Sequence, residues 1–500
     1  MRSKKAIINI ISLLLFQATT IICGFIVPKL IISNYGSNVN GLIASINRFL
    51  AYITVLEIGF GTVIKALLYK PIAKKDKDEI VSILKATDRF YKKISLIFIG
   101  YIIILCIIFP LLVAKEFDYL FTIPLILILS FSVFIDYFYG ITYKTYLYAE
   151  QKAYVSTFIN LIVLIVNTIV VVILIKLGLS VHIVKLVTAL LFVLRPVIQN
   201  IYVRKKYKID IRKVKTNRTI KQKWDGLAQH IAYVVRVNTD IIVLSLFSSL
   251  SEVSVYYVYS LITTSVRAVL ENISGGLEAS FGDMIAKKEN KQLNRSFRIY
   301  ELLFFTLTAI IFICTYFLIV PFVQVYTKNI TDVNYVRPFF AVILVTAELL
   351  FVFRLPYSEI TLAAGKFKEI RIPALVEAGI NVILSVVFVA KYGIMGVTMG
   401  TLLPMIIRTI HFMYYSSKYI LKRRLISAFK YFAIVGVEIL VVYLIMKVIP
   451  EVKVTSYLQW MIQAIKVFAI TFITVITINT LTCFNQTKES IEYLKEKIKK

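Results

Sequence analysis

Eight ionisable residues stand near the middle of long apolar segments: Arg48 and Glu57, Arg236 and Asp240, Arg267 and Glu271, Glu348 and Arg354. Showing such a charge to lipid costs roughly 2.5–3.5 kcal/mol even on insertion scales, so these groups are expected to face protein or water and to mark a polar path. Arginine keeps its charge when buried and grips phosphate oxygens through a planar fork, which lysine does less well. The natural ligands of Arg267, Arg236, Arg48 and Arg354 are therefore phosphate or carboxylate groups. The acids Glu271, Glu57, Asp240 and Glu348 suit either structural ion pairing or the uptake of a coupling H⁺ or Na⁺. Arg236–Asp240 and Arg267–Glu271 are spaced one helical turn apart, so neutralisation within each pair stays open beside ligand binding. Arginines and acids balance, and the interior becomes cationic only where a carboxylate takes up a proton. Nothing else in the chain suggests catalysis, a metal or a cofactor: His182, His230 and His411 are the only histidines, and they are dispersed.

The segment around Arg267 has the clearest face. Ser260, Thr264, Arg267, Glu271, Ser274 and Glu278 recur at spacings of three and four and stack on one side of a helix. Such a stripe is what the wall of a water-filled cavity requires. Gly275 and Gly276 follow it, as Gly59 and Gly61 follow Glu57; close packing is the favoured reading of these glycines, with bending as the alternative. Tyr52, Tyr233, Tyr257 and Tyr259 could meet sugar faces or simply pack. Lys65, Lys185, Arg195 and Arg408 fall near segment ends, where long side chains reach the interface.

These residues need a membrane scaffold, and the chain supplies one. Its 500 residues are 59% hydrophobic, with a mean hydropathy of +0.80, and the apolar residues come in runs of about 20, the length that crosses a bilayer. The expected fold is an all-α integral membrane protein of about fourteen transmembrane helices. The first begins near Ile7 as an uncleaved span, the second covers Gly41 to Leu68, and the seventh and eighth fill Trp224 to Ala286. Most of the 58 Lys and Arg lie on the side of the N-terminus. That asymmetry places both termini in the cytoplasm and reads the net charge of +30 as a topology signal facing membrane lipids, not nucleic acid. Cys23, Cys106, Cys314 and Cys483 form no metal or disulfide spacing.

An internal repeat organises the spans. An offset of 214 residues matches Val39 to Val253, Glu57 to Glu271, Gly61 to Gly275, Lys152 to Lys366 and Asn167 to Asn381. After a one-residue slip, Arg195 matches Arg408 and Tyr202 matches Tyr415. Six spans separate the copies, so both enter the membrane in the same sense, as in transporters with two parallel halves. The expected organisation is an N-terminal lobe at 1–208, a basic cytoplasmic linker at 209–223, a C-terminal lobe at 224–420, two further spans within 427–483 and a basic tail at 484–500. In that tail Ile491, Leu494 and Ile498 share a helical face suited to the membrane surface. The offset sets Ile53 opposite Arg267 and Ile22 opposite Arg236, so these arginines belong to the second copy alone.

The stretches YGSNVNGLIASINRFLAYITVLEIGFG, NTDIIVLSLFSSLSEVSVYYVY and AAGKFKEIRIPALVEAGINVILSVVFVAKYGIMGVTMGTLL resemble the Wzx-type polysaccharide flippases of the MOP superfamily. The resemblance covers nearly the whole chain and rests on diffuse patterns. It implies two six-helix lobes, related as in MATE-type transporters, that alternate access to a central cavity. Spans one, two, seven and eight would border a lateral gate. It also implies the cargo, an undecaprenyl-pyrophosphate-linked oligosaccharide moved from inner to outer leaflet for capsule, exopolysaccharide or O-antigen synthesis. The setting would be a bacterial cytoplasmic membrane, with a polysaccharide polymerase and other assembly proteins as candidate partners. Three rivals remain: a lipid II flippase, a multidrug exporter of the same superfamily, and a polytopic polysaccharide polymerase. The enzyme reading is disfavoured because the outer loops are too short to hold donor and acceptor. The exporter reading is disfavoured because a cavity for cations should carry net acid.

Overall fold

The computed structural model describes residues 2–57, 60–211, 227–450, 454–489 and 492. Among the described residues the regular structure is helical and no strand occurs. The order is α1 (Arg2–Tyr35), α2 (Ser37–Ala51), α3 (Phe60–Lys74), α4 (Lys77–Leu112), α5 (Tyr119–Ile135), α6 (Ile141–Ala149), α7 (Ala153–Lys176) and α8 (Val181–Tyr207). After residues outside the description come α9 (Leu227–Phe247), α10 (Leu250–Gly275), α11 (Glu278–Ala286), α12 (Asn290–Tyr326), α13 (Pro338–Ala363), α14 (Phe367–Tyr415), α15 (Ile426–Val448) and α16 (Tyr457–Thr482). Most of the 209–223 linker, Trp224, and the tail face of Ile491, Leu494 and Ile498 lie outside the described residues.

Thirteen helical stretches among the described residues are long and apolar enough to cross a bilayer. The 54-residue stretch Phe367–Ile420 is two crossings. At ~1.5 Å per residue it far exceeds a hydrocarbon core of about 30 Å. Gly393 reverses it, with φ 53° and ψ −130°, a conformation that suits a residue without Cβ. The two arms then lie against each other. Asn381 Nδ2 donates to Thr401 Oγ1 at 2.8 Å, and a Cβ on Gly396 or Gly400 would overlap Phe388 or Ser385. The chain is thus an all-α, multi-pass membrane protein, with fourteen helical segments of crossing length among the described residues once the reversal at Gly393 is counted.

Contacts divide it into two compact units, Met1–Ser254 and Val255–Lys500. In the first, α1 packs on α7, α7 and α5 on α8, and α2 on α9. Gly41 lets the start of α2 meet the backbone at Leu250, since any Cβ there would overlap the Leu250 carbonyl oxygen. One residue before it, Asn40 Nδ2 donates to Ser254 Oγ at 2.8 Å, and the two positions are 214 apart, equivalent under the sequence repeat. In the second unit α13 packs against α12 and α14, while α12 also packs on α16. Of its most apolar stretch 72% is buried, against 17% in α1, so α13 is an interior helix and its charges must be solvated by protein.

Two spans expected to run unbroken are interrupted. α2 gives way to a 3₁₀ turn at Tyr52–Glu57 before α3 starts at Phe60, and α10 ends at Gly275 two residues before α11 restarts. Ile53, Thr54 and Val55 are β-branched and glycines follow, a run of weak helix formers. The preference for packing at these glycines is corrected. A Cβ at Gly61 or Gly275 would meet nothing within 4 Å, and Gly275 ends a helix. Gly59 lies outside the described residues. Among the described residues, close approach to backbone belongs to Gly41, Gly396 and Gly400.

Candidate functional site

In the second unit α10 and α13 bring Arg267, Glu271, Glu348 and Arg354 together. Arg267 Nη1 donates to both Glu348 carboxylate oxygens, at 3.0 and 2.9 Å. Its helical neighbour Glu271 stands farther off, with 3.5 Å from Nε to Oε1. The dominant partner is therefore across the helix interface, not one turn along. Phe351 takes a guanidinium on its ring twice, Arg267 at 5.2 Å and Arg354 at 4.3 Å from the centroid. Arg354 Nη1 in turn donates to Glu377 Oε1 of α14 at 2.6 Å, and the other Glu377 oxygen lies 3.5 Å from Arg408 Nε. Arg408 is 1% exposed and donates to the Ile370 carbonyl at 3.1 Å. The expectation that Arg408 reaches the membrane interface is corrected: it is drawn inward by Glu377 and by a main-chain oxygen. The result is a run of three arginines and three acids threaded through α10, α13 and α14, electrically neutral as built.

The polar stripe of α10 is divided between tasks. Arg267 and Ser274 are buried against neighbouring helices, Ser274 Oγ lying 2.7 Å from the Tyr300 hydroxyl of α12. Ser260 and Thr264 donate to carbonyls of their own helix, of Tyr257 and Ser260. Glu271 is half-buried and Glu278 exposed, and Glu359 of α13 lies within electrostatic reach of both. Tyr259 is a packing residue. Its hydroxyl donates to the Tyr335 carbonyl at 3.0 Å and accepts from the Arg337 N–H at 3.1 Å.

The first unit holds a different arrangement. Where α2 breaks, a cavity of about 640 Å³ opens beside Glu57, and Lys65, Tyr91, Asp136, Tyr137 and Lys144 line it. Asp136 begins a π-helical turn, Asp136–Gly140, between α5 and α6, a feature often found at functional sites. The Tyr137 hydroxyl donates to the Glu57 carboxylate, and Lys144 and Asp136 act on that carboxylate from nearby. Tyr148 and His230 complete the wall. Lys65, set aside from sequence as an interfacial residue, turns to this cavity with its Nζ 6.0 Å from the Tyr148 ring centroid. Two carboxylates, two ammonium groups and several phenols make a donor and acceptor set that suits a hydroxyl-rich ligand. Of the other sequence candidates, Arg236 and Asp240 are buried on α9, Arg236 with its guanidinium 5.6 Å from the Tyr233 ring centroid. Arg48 is half-buried on α2.

Sequence reasoning passed over four acids in the second unit. Glu377 anchors the arginine run. Glu301, 1% exposed, accepts from the Tyr357 hydroxyl at 2.6 Å and from both terminal nitrogens of Arg423, at 2.7 and 2.5 Å. Glu438 of α15 accepts from Asn479 Nδ2 of α16 at 2.6 Å, and Glu359 sits beside the α10 acids. The rarity of charge within apolar runs, which singled out Glu348, applies equally to Glu301, Glu377 and Glu438.

No protein-family model matches the chain, and no curated protein matches it. Solved structures do. The chain superposes on a lipid II flippase MurJ in an inward closed conformation with a TM-score of 0.64 and 16% identity, covering 94% of this chain and 100% of that one. It superposes on an inward-facing multidrug resistance MATE family transporter of the MOP superfamily with a TM-score of 0.65 and 13% identity, covering 84% and 99%. A eukaryotic MATE transporter, AtDTX14, gives 0.53 and 12% identity over 85% and 98%. These neighbours are transporters and flippases, not enzymes. The chain has the fold of the MOP-superfamily transporters.

Proposed function

We propose that this chain is a flippase that carries an undecaprenyl-pyrophosphate-linked oligosaccharide repeat unit from the inner to the outer leaflet of a bacterial cytoplasmic membrane. The two sequence-repeat halves, 1–208 and 224–420, would alternate access, and the product would feed capsule, exopolysaccharide or O-antigen assembly. The observation that carries this reading is the cavity beside Glu57. Its mixed carboxylate, ammonium and phenol lining suits sugar hydroxyls, whereas a site for apolar cations would be lined by acid and aromatic groups alone. Coverage supports the flippase branch as well, since the likeness to the lipid II flippase extends over 94% of this chain and that to the multidrug transporter over 84%. Lipid II is the second reading, favoured by that same neighbour, and it shares the pyrophosphate carrier.

In this reading Arg267 is the first ligand for the diphosphate, with Arg236 and Arg48 as further candidates. Arg354, held between Glu377 and Phe351, is read as structural. Arg267 becomes available when Glu348 is neutralised, so proton uptake there would exchange one anionic partner for another. That exchange is the proposed link to H⁺ coupling, with Glu57, Asp240 and Glu271 as alternative coupling acids. Arg267→Lys keeps the charge opposite Glu348 and loses the fork. Deletion of the gene should accumulate lipid-linked repeat units on the cytoplasmic leaflet, and Arg267→Lys should restore surface polymer at least about tenfold less well than the parent chain, a loss of ~1.4 kcal/mol. Normal polymer in the deletion strain would overturn the assignment. Accumulation of lipid II instead would decide for the second reading.

A further inference from the structure

At one end of the second unit, a cavity of about 910 Å³ lies between the start of α12, the turn after α14 and the start of α15. Lys291, Arg295, Arg298, Lys422, Arg423 and Lys430 line it, and Glu301 is the one acid among its described lining residues. That acid is already engaged. Arg423 meets Glu301 with both terminal nitrogens, and Tyr357 donates to it from behind. Burial opposes the Arg423 charge, but the hydrogen bond and the carboxylate charge of Glu301 outweigh it and hold the guanidinium above its ordinary pKa. The wall is therefore a fixed cationic surface whose acid faces inward. Arg295 is paired with Glu489 at 2.9 Å, and Lys430 Nζ donates to the Thr482 carbonyl at 3.1 Å. Lys291, Arg298 and Lys422 have no acidic partner within salt-bridge distance among the described residues.

Two more features suit an anion. α12 and α15 both begin at this cavity, at Asn290 and Ile426, and the start of a helix carries partial positive charge. Ile426, 71% exposed, adds an apolar edge beside the basic wall. The lysine and arginine asymmetry of the sequence assigns this end to the cytoplasm, where anionic lipids concentrate and basic pockets between membrane helices hold their headgroups.

We propose that this cavity is a binding site for the phosphate headgroup of an anionic membrane lipid, distinct from the cargo path. The site is independent of the cargo assigned to the chain. Free phosphate shares the recognition chemistry, so the test separates the two sources. The full-length protein would be reconstituted into nanodiscs of phosphatidylglycerol and phosphatidylcholine, and co-retained lipid measured by native mass spectrometry. The parent chain should retain phosphatidylglycerol about tenfold over phosphatidylcholine. K291Q/R298Q/K422Q, which leaves the Glu301–Arg423 pair intact, should lose that preference. K70Q/K74Q/K75Q, an equal charge change at the exposed C-terminal end of α3 and the turn after it, should keep it. If the triple variant fails to fold, the exposed single substitution K422Q should still lower retention about threefold. Absence of preference in the parent, or equal loss in both triple variants, would overturn the site. Thermal protection of lipid-free protein by inorganic phosphate, with no selective retention of phosphatidylglycerol, would assign the cavity to free phosphate and overturn the lipid assignment.

Discussion

In the second unit Arg267, Arg354 and Arg408 are set against Glu271, Glu348 and Glu377 in a run closed by Phe351, and four of its six ion-pair members lie on α13 or α14. In the first unit Glu57, Asp136, Lys65 and Lys144 face a cavity of about 640 Å³ at the point where helices α2 and α5 lose their regular winding. The same residue types therefore serve two ends. Where helices stay regular and interior, charges neutralise one another across helix interfaces and hold the unit in shape. Where helices break, charges are left facing space. A dry ion-pair run destabilises strongly when one member is removed, while a charge facing a cavity can be changed at modest cost to the fold and full cost to a ligand.

That contrast is broken most directly at Glu377. Glu377→Ala leaves Arg354 and Arg408 facing each other without their shared carboxylate. Loss of one partner from a buried pair costs about 3–5 kcal/mol, so little folded protein should survive, read by the melting midpoint in detergent. Glu57→Gln loses one hydrogen-bond acceptor strength beside a cavity and should change stability by about 1 kcal/mol or less, while abolishing transport. Equal melting of the two variants would remove the distinction between the units.

A smaller effect sharpens the role of Arg267. Arg267→Gln alone strands the Glu348 carboxylate and should lower stability by about 3 kcal/mol. Arg267→Gln with Glu348→Gln removes both charges and should recover most of that loss, the coupling expected of residues in direct contact. Transport, read as surface polymer, should stay absent in the double variant if Arg267 binds diphosphate. Recovery of polymer together with stability would make the pair structural and move the search for the diphosphate ligand to Arg236 and Arg48.

The scaffold was legible in the sequence because its cause is local: apolar runs of bilayer length joined by short turns. Even the reversal inside α14 is readable, since the apolar runs Ile372 to Ala390 and Ile394 to Ser416 are each of ordinary span length and meet at Gly393. The members of the site were half legible. Rarity of charge found Arg267, Glu271, Glu348 and Arg354, but the choice of partner depends on how α10 lies on α13, and helical spacing speaks only for Glu271. Arg408 was misplaced because its distance along the span says nothing about the Ile370 carbonyl and Glu377 carboxylate that draw it in. The first-unit cavity was hidden for a related reason. Glu57, Tyr91, Asp136 and Lys144 come from four separate segments, and neither the 3₁₀ turn at Tyr52–Glu57 nor the π-helical turn at Asp136–Gly140 has a periodic signature.

The mildest change tests whether that cavity is a binding site or a packing defect. Tyr137→Phe removes the hydroxyl that donates to Glu57 and nothing else. A neutral hydrogen bond contributes about 0.5–1.5 kcal/mol net, and the phenyl ring of the variant still fills its place, so the melting midpoint should move little. Glu57, no longer held by Tyr137, would lose its orientation toward Lys144 and toward any sugar hydroxyl it accepts from. Transport should fall by about two- to tenfold, the range that follows from about 0.5–1.5 kcal/mol, and Lys144→Gln should produce a loss of similar size. The two substitutions should then fall short of additivity when combined, because both act on the same carboxylate. Full additivity would place Tyr137 and Lys144 on separate steps, and unchanged transport in both would mark the cavity as space between helices with no cargo in it.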